Sequence, residues 1–298
     1  MSIRIFESLE PDPARLAEDK GDTTISVCLP ARNEAATVGT IVDTIRTRLM
    51  SPDGSPLVDE LVVVDDGSTD GTAEVAAARG ARVVPVDDIA RHASAGRGKG
   101  NVLWRSLAAS AGDLIVWCDA DVTSFTADYV SRLVEPLLVD PGIGFVKGFY
   151  ERPVEVREDR GGRVTELVAR PLLSRFFPEL ADLRQPLAGE VAARRDVLET
   201  VPFVQGYAVE VALLIDVSRR FGEDRLVQVD LGARRHRHQS LEALAIQATE
   251  IMQVILNRAG VAIMDGVVDL ARPDGSTIPV ALQELPPMAT VTAVEGLW

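Results

Sequence analysis

Apolar positions in the first half of the chain alternate between two patterns. In some stretches they form short unbroken runs; in others they recur every three or four residues. "TISVCLP" (24–30), "LVDELVVVDD" (57–66), "ARVVPV" (81–86) and "DLIVWCD" (113–119) read as strands. Between them, "EAATVGTIVDTIRTRL" (34–49), "DGTAEVAAARG" (70–80) and "GNVLWRSLAASAG" (100–112) read as helices, the second stopped by Gly80. Strands without strict apolar–polar alternation are buried on both faces. This order therefore predicts an α/β fold, with a mainly parallel sheet covered by helices on each side. Right-handed crossovers then bring ligands to the carboxyl ends of the strands. The polar clusters "PARNE" (30–34), "DDGSTDG" (65–71) and "DAD" (119–121) each follow a strand, which places a candidate site along that edge.

The second half is less regular. The pattern predicts a strand in "GIGFVKGFYERP" (142–153), a charged segment over 154–162, and a helix over 165–177 that Pro171 should kink or break. A loop and strand follow in "QPLAGEVAARR" (185–195), then a helix over 207–222 ended by Gly222. An extended stretch covers 225–238, and a helix over 240–258 has Ser240 as its N-cap. The final forty residues carry scattered Pro and Gly and receive no assignment. Four regions are expected: an N-terminal extension (1–22), a first half (23–150), a second half of the same domain (151–260), and a tail (261–298) that is a candidate dimerisation segment.

Composition narrows the classes. The chain has 298 residues and 46% hydrophobic content, enough for a sizeable core. The N-terminus is of mixed charge, neither signal peptide nor membrane span, so a cytoplasmic protein is expected. Cys28 and Cys118 lie in apolar runs and read as small core residues. A net charge of −14 argues against nucleic-acid and anionic-membrane partners. Against that acidity, the basic stretches "RHASAGRGKGNVLWR" (91–105) and "ARRHRH" (233–238) stand out.

Four features carry candidate chemistry. Asp119 and Asp121 sit two positions apart after a buried strand; their charges repel unless a cation lies between them. They form a hard-oxygen site suited to Mg²⁺ or Mn²⁺, although a solvated turn with one aspartate capping the next helix is the plainer alternative. In "DDGSTDG", Gly67 permits the turn and Ser68, Thr69 and Asp70 are good helix caps, while Asp65 or Asp66 could accept hydrogen bonds from a base or ribose. "AGRGKGN" (95–101) is not a P-loop, because position 93 is Ala and Gly100 follows Lys99, nor is it a dinucleotide fingerprint. Its glycines around Arg97 and Lys99 at a helix start suit a diphosphate, or else form a plain surface loop. If 233–238 is extended, Arg234, His236 and His238 face one way, which makes a histidine a sensible third metal ligand or leaves a basic surface strand.

Together, P-A-x-N-E, "VVVDDGSTDGT" and D-x-D after the fourth strand resemble a nucleotide-sugar glycosyltransferase of the GT-A fold, which is Rossmann-like with a mixed, mainly parallel sheet. "GRGKGNVLWRSLAAS", "GGRVTELVARPLL", "QPLAGE", "GYAVEVALLID" and "VDLGARRHRH" further resemble the glucosyl-3-phosphoglycerate synthases, a retaining family that includes mannosyl-3-phosphoglycerate synthases. The likeness runs from about residue 23 to 259.

The resemblance implies a metal-dependent transfer of glucose from UDP-glucose to 3-phosphoglycerate, with mannose from GDP-mannose as the alternative, by a homodimer. Pro30, Ala31, Glu34 and Asp66 would hold the uridine, although Asp66 stands where serine is expected. Lys99 would touch the uridine or diphosphate and Asp119 the ribose, with Ala120 and Arg234 also beside the donor. Asp121 and His236 would bind the metal. Leu187, Ala188, Gly189 and Glu190 would line the sugar pocket, and Glu210 would grip sugar hydroxyls. Asp121, Leu187, Glu210 and His236 make up the implied catalytic set. Gly162, Arg163 and Thr165 would bind the phosphate and carboxylate of 3-phosphoglycerate, with His238 at the acceptor where the glucosyl enzymes tend to carry asparagine.

Two rivals fit less well. Asp119, Asp121 and Thr123 also resemble the first motif of haloacid-dehalogenase-type phosphatases, but Lys147 is the only later lysine and no downstream G-D-x-x-x-D exists. A non-catalytic sugar-nucleotide sensor would not need the acceptor motif "GGRVT".

Overall fold

A computed structural model describes residues 3–7, 11–50, 55–89, 96, 98–151, 162–233, 240–261 and 266–295. In chain order, the strands and helices of the first half are β1 (Arg4–Ile5), α1 (Pro13–Asp19), β2 (Ile25–Ala31), α2 (Val38–Leu49), β3 (Glu60–Asp65), α3 (Thr72–Ala78), β4 (Arg82–Pro85), α4 (Gly98–Ala109), β5 (Leu114–Trp117) and α5 (Ala127–Val139). They continue with β6 (Phe145–Glu151), α6 (Arg170–Phe176), β7 (Val191–Arg194), α7 (Arg195–Leu198), β8 (Phe203–Val204), α8 (Val209–Phe221), β9 (Leu226–Ala233) and α9 (Leu241–Arg258). The tail adds β10 (Val267–Ala271), β11 (Thr277–Ala281), β12 (Glu284–Leu285) and α10 (Met288–Glu295).

Eight strands form one sheet in the order β1-β9-β6-β7-β5-β2-β3-β4. All neighbours are parallel except β7, which runs against both β5 and β6. The expected mixed, mainly parallel sheet is therefore present. Successive residues of the central strands go to opposite faces, and both faces are buried. Leu61 and Val63 join one apolar cluster with α1, α2 and α5, whereas Val62 and Val64 join another with α4, α8 and α9. This two-sided burial is why the strands read as continuous apolar runs.

The first-half elements appear where the pattern put them, with adjusted ends. Helix α2 starts at Val38, not residue 34, because the Glu34 carbonyl first accepts from the backbone of Thr37 and Val38 in a tight turn. Around Pro171 the chain resolves its conflict locally. Thr165–Ala169 is wound as a π-helix and Pro171 occupies the first turn of α6, where its missing N–H leaves no gap. The helix at the acceptor motif begins at Arg163, so Arg163 lies inside its first turn instead of before a start at Thr165.

Helix α5 had no counterpart in the sequence reading. Its buried Tyr129, Val130, Leu133, Val134 and Leu137 are well spaced for a helix, but Pro136 sits inside it. In the tail, β10 and β11 form an antiparallel hairpin and β12 pairs with β8. Trp104 of α4 donates its indole N–H to the Pro286 carbonyl at 2.8 Å, which fastens that tail to the core. No described helix is long and apolar enough to cross a membrane.

Candidate active site

Strands β2, β3 and β5 end at one edge of the sheet, and β7, being antiparallel, begins there. The turn after β2 is latched to the turn after β3. Asn33, in a left-handed conformation (φ 58°), accepts from the Thr69 backbone at 2.8 Å, and its own N–H donates to Ser68 Oγ. Glu34 N–H donates to Thr72 Oγ1, and Ala35 N–H to Asp70. Ser68 and Thr69 thus serve Asn33 rather than capping α3, whose N-cap is Gly71. Beside this latch, Asp66 N–H donates to the Ala31 carbonyl at 2.9 Å, and Pro30 pairs in register with Val64.

The Arg32 guanidinium stands 3.3 Å from the Asp66 carboxylate. Burial nevertheless pushes the Asp66 carboxyl above the ordinary range, against the pull of Arg32. Asp65 accepts from the Ser68 N–H through one oxygen, while its other oxygen is buried with no hydrogen-bond partner among the described residues. That oxygen is an acceptor awaiting a donor.

The D-x-D turn follows β5 and is fixed from α2, whose neighbour Thr37 donates its hydroxyl to the Ala120 carbonyl at 2.6 Å. The cation beside Asp119 is Lys99, the second residue of α4. Its ammonium lies 2.5 Å from Asp119 Oδ1 and 2.7 Å from Glu210 Oε1, in the first turn of α8. Burial alone would lower the lysine's pKa, but Asp119 and Glu210 more than offset it and hold it well above its usual value. Lys99 therefore stays charged.

The glycines around Lys99 have a packing reason. A side chain on Gly100 would run into the Val204 carbonyl, and one on Gly98 (φ +78°) would press on Gly206. Close approach of α4 to β8 and to the turn before α8 is what brings Lys99 within reach of Glu210.

From the far side, the loop entering β7 closes the cluster. Gly189 packs its Cα directly against the Asp119 carboxylate and the Lys99 ammonium, with no space for a Cβ. Ala188 and Glu190 are buried beside it, and Leu187 packs against the core cluster that holds α4 and α8. Lys99, Asp119, Glu210 and Gly189 are thus brought together from four separate elements. Asp121 lies two residues beyond Asp119, half-buried at the same edge.

Gly162, Arg163 and Thr165 open the helical turn that packs on α9. Arg234, His236 and His238 lie outside the described residues. Among the described residues no group of three His, Cys, Asp or Glu side chains could hold a metal.

Three residues near this site escaped the sequence reading. Tyr207 is 49% exposed, just before α8, and its hydroxyl feels Lys99, Glu250 and Glu210. Glu250 of α9 accepts the Tyr207 N–H at 2.8 Å, and burial raises its carboxyl pKa. Lys147 of β6 is 1% exposed and donates to the Ala188 carbonyl. The first two follow motif or helix-register positions that signal nothing by themselves; a lysine inside the apolar run "GFVKGF" was a visible signal.

Comparison with known proteins identifies the family and the fold. The sequence profile of glycosyl transferase family 2 matches residues 26–200. Glucosyl-3-phosphoglycerate synthase of Mycobacterium tuberculosis is 45% identical over 286 residues, covering 90% of this chain and 86% of that protein. The corresponding protein of Petrotoga mobilis is 44% identical over 245 residues, covering 81% and 75%. A crystal structure of the M. tuberculosis enzyme with Mn²⁺, UDP-glucose and phosphoglyceric acid superposes with a TM-score of 0.88 at 41% identity, across 97% of this chain and 99% of that one. Another, with Mn²⁺, UDP and glucosyl-3-phosphoglycerate, gives 0.87 at 42% identity. The chain belongs to glycosyl transferase family 2 and, within it, to the glucosyl-3-phosphoglycerate synthases.

Proposed function

We propose that this protein is a metal-dependent, retaining hexosyltransferase that moves glucose from UDP-glucose to the hydroxyl of 3-phosphoglycerate. The observation that carries the reading is the meeting of Lys99, Asp119 and Glu210 against Gly189. It sits at the carboxyl edge of the sheet, and a chain of the same fold, matched over nearly its whole length, is described in complex with Mn²⁺, UDP-glucose and phosphoglyceric acid.

In this reading the latched turns of Pro30–Glu34 and Asp65–Asp66 hold the uridine. Asp119, paired with Lys99, accepts from the ribose hydroxyls, and Lys99 keeps its positive charge beside the diphosphate. Glu210 and the 187–190 loop hold the glucosyl ring. The half-exposed Asp121 carboxylate is a hard-oxygen donor at the same edge, which fits Mg²⁺ or Mn²⁺, with His236 as the proposed second ligand. When bound, the cation supplies Lewis acidity to a departing diphosphate, so no protein acid is needed there. At the first turn beginning at Arg163, the guanidinium and adjoining backbone N–H groups receive the acceptor's phosphate and carboxylate. In a chain of net charge −14, two anionic substrates require such local cations.

We also read the assembly as a homodimer built through the tail, supported by Val267 at the start of the β10–β11 hairpin, which is 54% exposed. Sedimentation at micromolar concentration tests this.

The donor is tested by incubating the protein with 3-phosphoglycerate, Mg²⁺ and each of UDP-glucose, GDP-glucose and GDP-mannose. The expected result is the highest kcat/KM with UDP-glucose. One correctly placed hydrogen bond to the 2-hydroxyl separates the epimers, because the wrong one leaves a buried polar group unpaired. A preference for GDP-mannose overturns the choice of donor.

A further inference from the structure

Of the 31 Lys and Arg residues, only three are lysines: Lys20, Lys99 and Lys147. This chain uses arginine wherever a cation faces water. Lys20 is paired with Asp59 and Lys99 belongs to the donor site. Lys147 has no such surface role. It sits in the middle of β6, 1% exposed, between Val146 and Gly148 in a strand whose neighbours β7 and β9 are themselves covered. A buried ammonium is expensive, and an apolar residue of similar size would serve a merely structural purpose at least as well. Its retention calls for a use of the charge.

The ammonium donates to the Ala188 carbonyl, the residue before Gly189. Two more bonds tie the same loop to β6. Gln185 Nε2 donates to the Tyr150 carbonyl at 2.7 Å, and Gly148 N–H donates to the Glu190 carbonyl at 2.9 Å. The turn closes on itself through Ala188 N–H to the Gln185 carbonyl at 3.1 Å. Lys147 is the one charged member of this set. Because the Ala188–Gly189 peptide is planar and trans, drawing its carbonyl toward Lys147 turns the Gly189 N–H the opposite way. The Gly189 that follows lies directly against Asp119 and Lys99.

We propose that Lys147 is a positioning residue for glucosyl transfer: its buried ammonium fixes the Ala188 carbonyl, and through it the 187–190 wall of the sugar pocket. The proposal deepens the proposed function and rests on it for the identity of the sugar.

The charges that act on Lys147 are Glu210 of α8, Lys99 of α4, Glu190 before β7, and Asp119 after β5. Gln228 of β9, its partner in register, is uncharged. Burial lowers the Lys147 pKa to about 8, with Lys99 adding to the effect and Glu210, Glu190 and Asp119 opposing it. Lys99 is shifted the other way and keeps its proton. The bond to the Ala188 carbonyl is therefore charge-assisted below pH 8 and weakens as pH rises through that value, when the amine becomes neutral.

The test uses the full chain with Mg²⁺. Lys147→Met keeps the length of the side chain and removes the charge. The expected result is a fall of about 100-fold in kcat/KM for UDP-glucose, the loss typical of a misplaced wall, with the KM for 3-phosphoglycerate unchanged. Calorimetric titration should show weaker binding of UDP-glucose but not of UDP, and the melting temperature should hold or rise. Wild-type kcat/KM should decline with a midpoint near pH 8, without unfolding, and Lys147→Met should lack that limb. Wild-type kinetics in Lys147→Met, or equal weakening of UDP and UDP-glucose, overturns the proposal. If the variant does not fold, a wild-type profile flat from pH 7 to 9.5 overturns it by itself. A wild type that transfers no glucose at all refutes the proposed function instead, and the UDP against UDP-glucose comparison still decides the role of Lys147.

Discussion

Gly189 leaves no room for a side chain, because the Asp119 carboxylate occupies the place where its Cβ would stand. The Lys99 ammonium crowds the same point. The Gly189 backbone and a carboxylate 70 positions before it thus lie in close contact, and the contact needs the absence of a methyl group. Neither partner can yield easily, since Asp119 is held by Lys99 at 2.5 Å and Lys99 is held again by Glu210.

Gly189→Ala is therefore expected to push the 187–190 loop away from β5. Displacements near 1 Å in a site of this kind cost on the order of 100-fold in rate. Steady-state kcat/KM for UDP-glucose should fall by about that factor. An unchanged value would mean that the loop does not touch the donor.

Lys99→Met should damage both stability and donor binding. It leaves Asp119 and Glu210, the latter 6% exposed on its side chain, facing each other without their cation. Removing one partner from a buried pair costs about 3 kcal/mol or more. Chemical denaturation should show a lower midpoint, and UDP binding by calorimetry should weaken at least tenfold, roughly 1.4 kcal/mol. This is the opposite stability outcome to that expected for Lys147→Met.

Chelation tests the cation. Excess EDTA should abolish transfer and added Mg²⁺ or Mn²⁺ should restore it, while Asp121→Ala should remain inactive at every metal concentration. Full turnover of Asp121→Ala would remove Asp121 from the metal site.

Arg163→Ala separates the two substrates. Loss of charge-assisted bonds to an anion should raise the KM for 3-phosphoglycerate roughly tenfold or more, with little effect on the donor KM. The reverse pattern would exchange the two subsites.

Much of this site was legible because its residues follow strands. Glu34, Asp66, Asp119 and Asp121 come straight after buried runs, and a parallel sheet delivers such residues to one edge. The partner of Asp119 was not legible. Lys99 is 20 residues before Asp119, and Glu210 is far downstream of both; only the close packing of Gly98 and Gly100 against the 204–206 turn makes them neighbours. Helix α5 carries a clear apolar stripe with Pro136 inside it, a mixed local signal. In that position tertiary burial of Tyr129, Leu133 and Leu137 overrides local preference. Lys147 stands in an apolar run, but its bond to the Ala188 carbonyl depends on the loop entering the antiparallel β7, which no local pattern reveals.

That antiparallel strand also dictates the order in which the protein can be assembled. β5 and β6 are synthesised well before β7, yet in the sheet they are separated by it and never pair with each other. Until residue 194 has left the ribosome, both strands keep a bare edge of unpaired backbone, the surface on which chains aggregate. Inserting a late strand between two early ones makes contacts of long sequence separation, which form slowly. A nascent or truncated chain ending near residue 150 would hold the latched turns after β2 and β3 but an unfinished sheet. Its survival in the cell should depend on chaperones that shield exposed strand edges until the loop carrying Gly189 arrives.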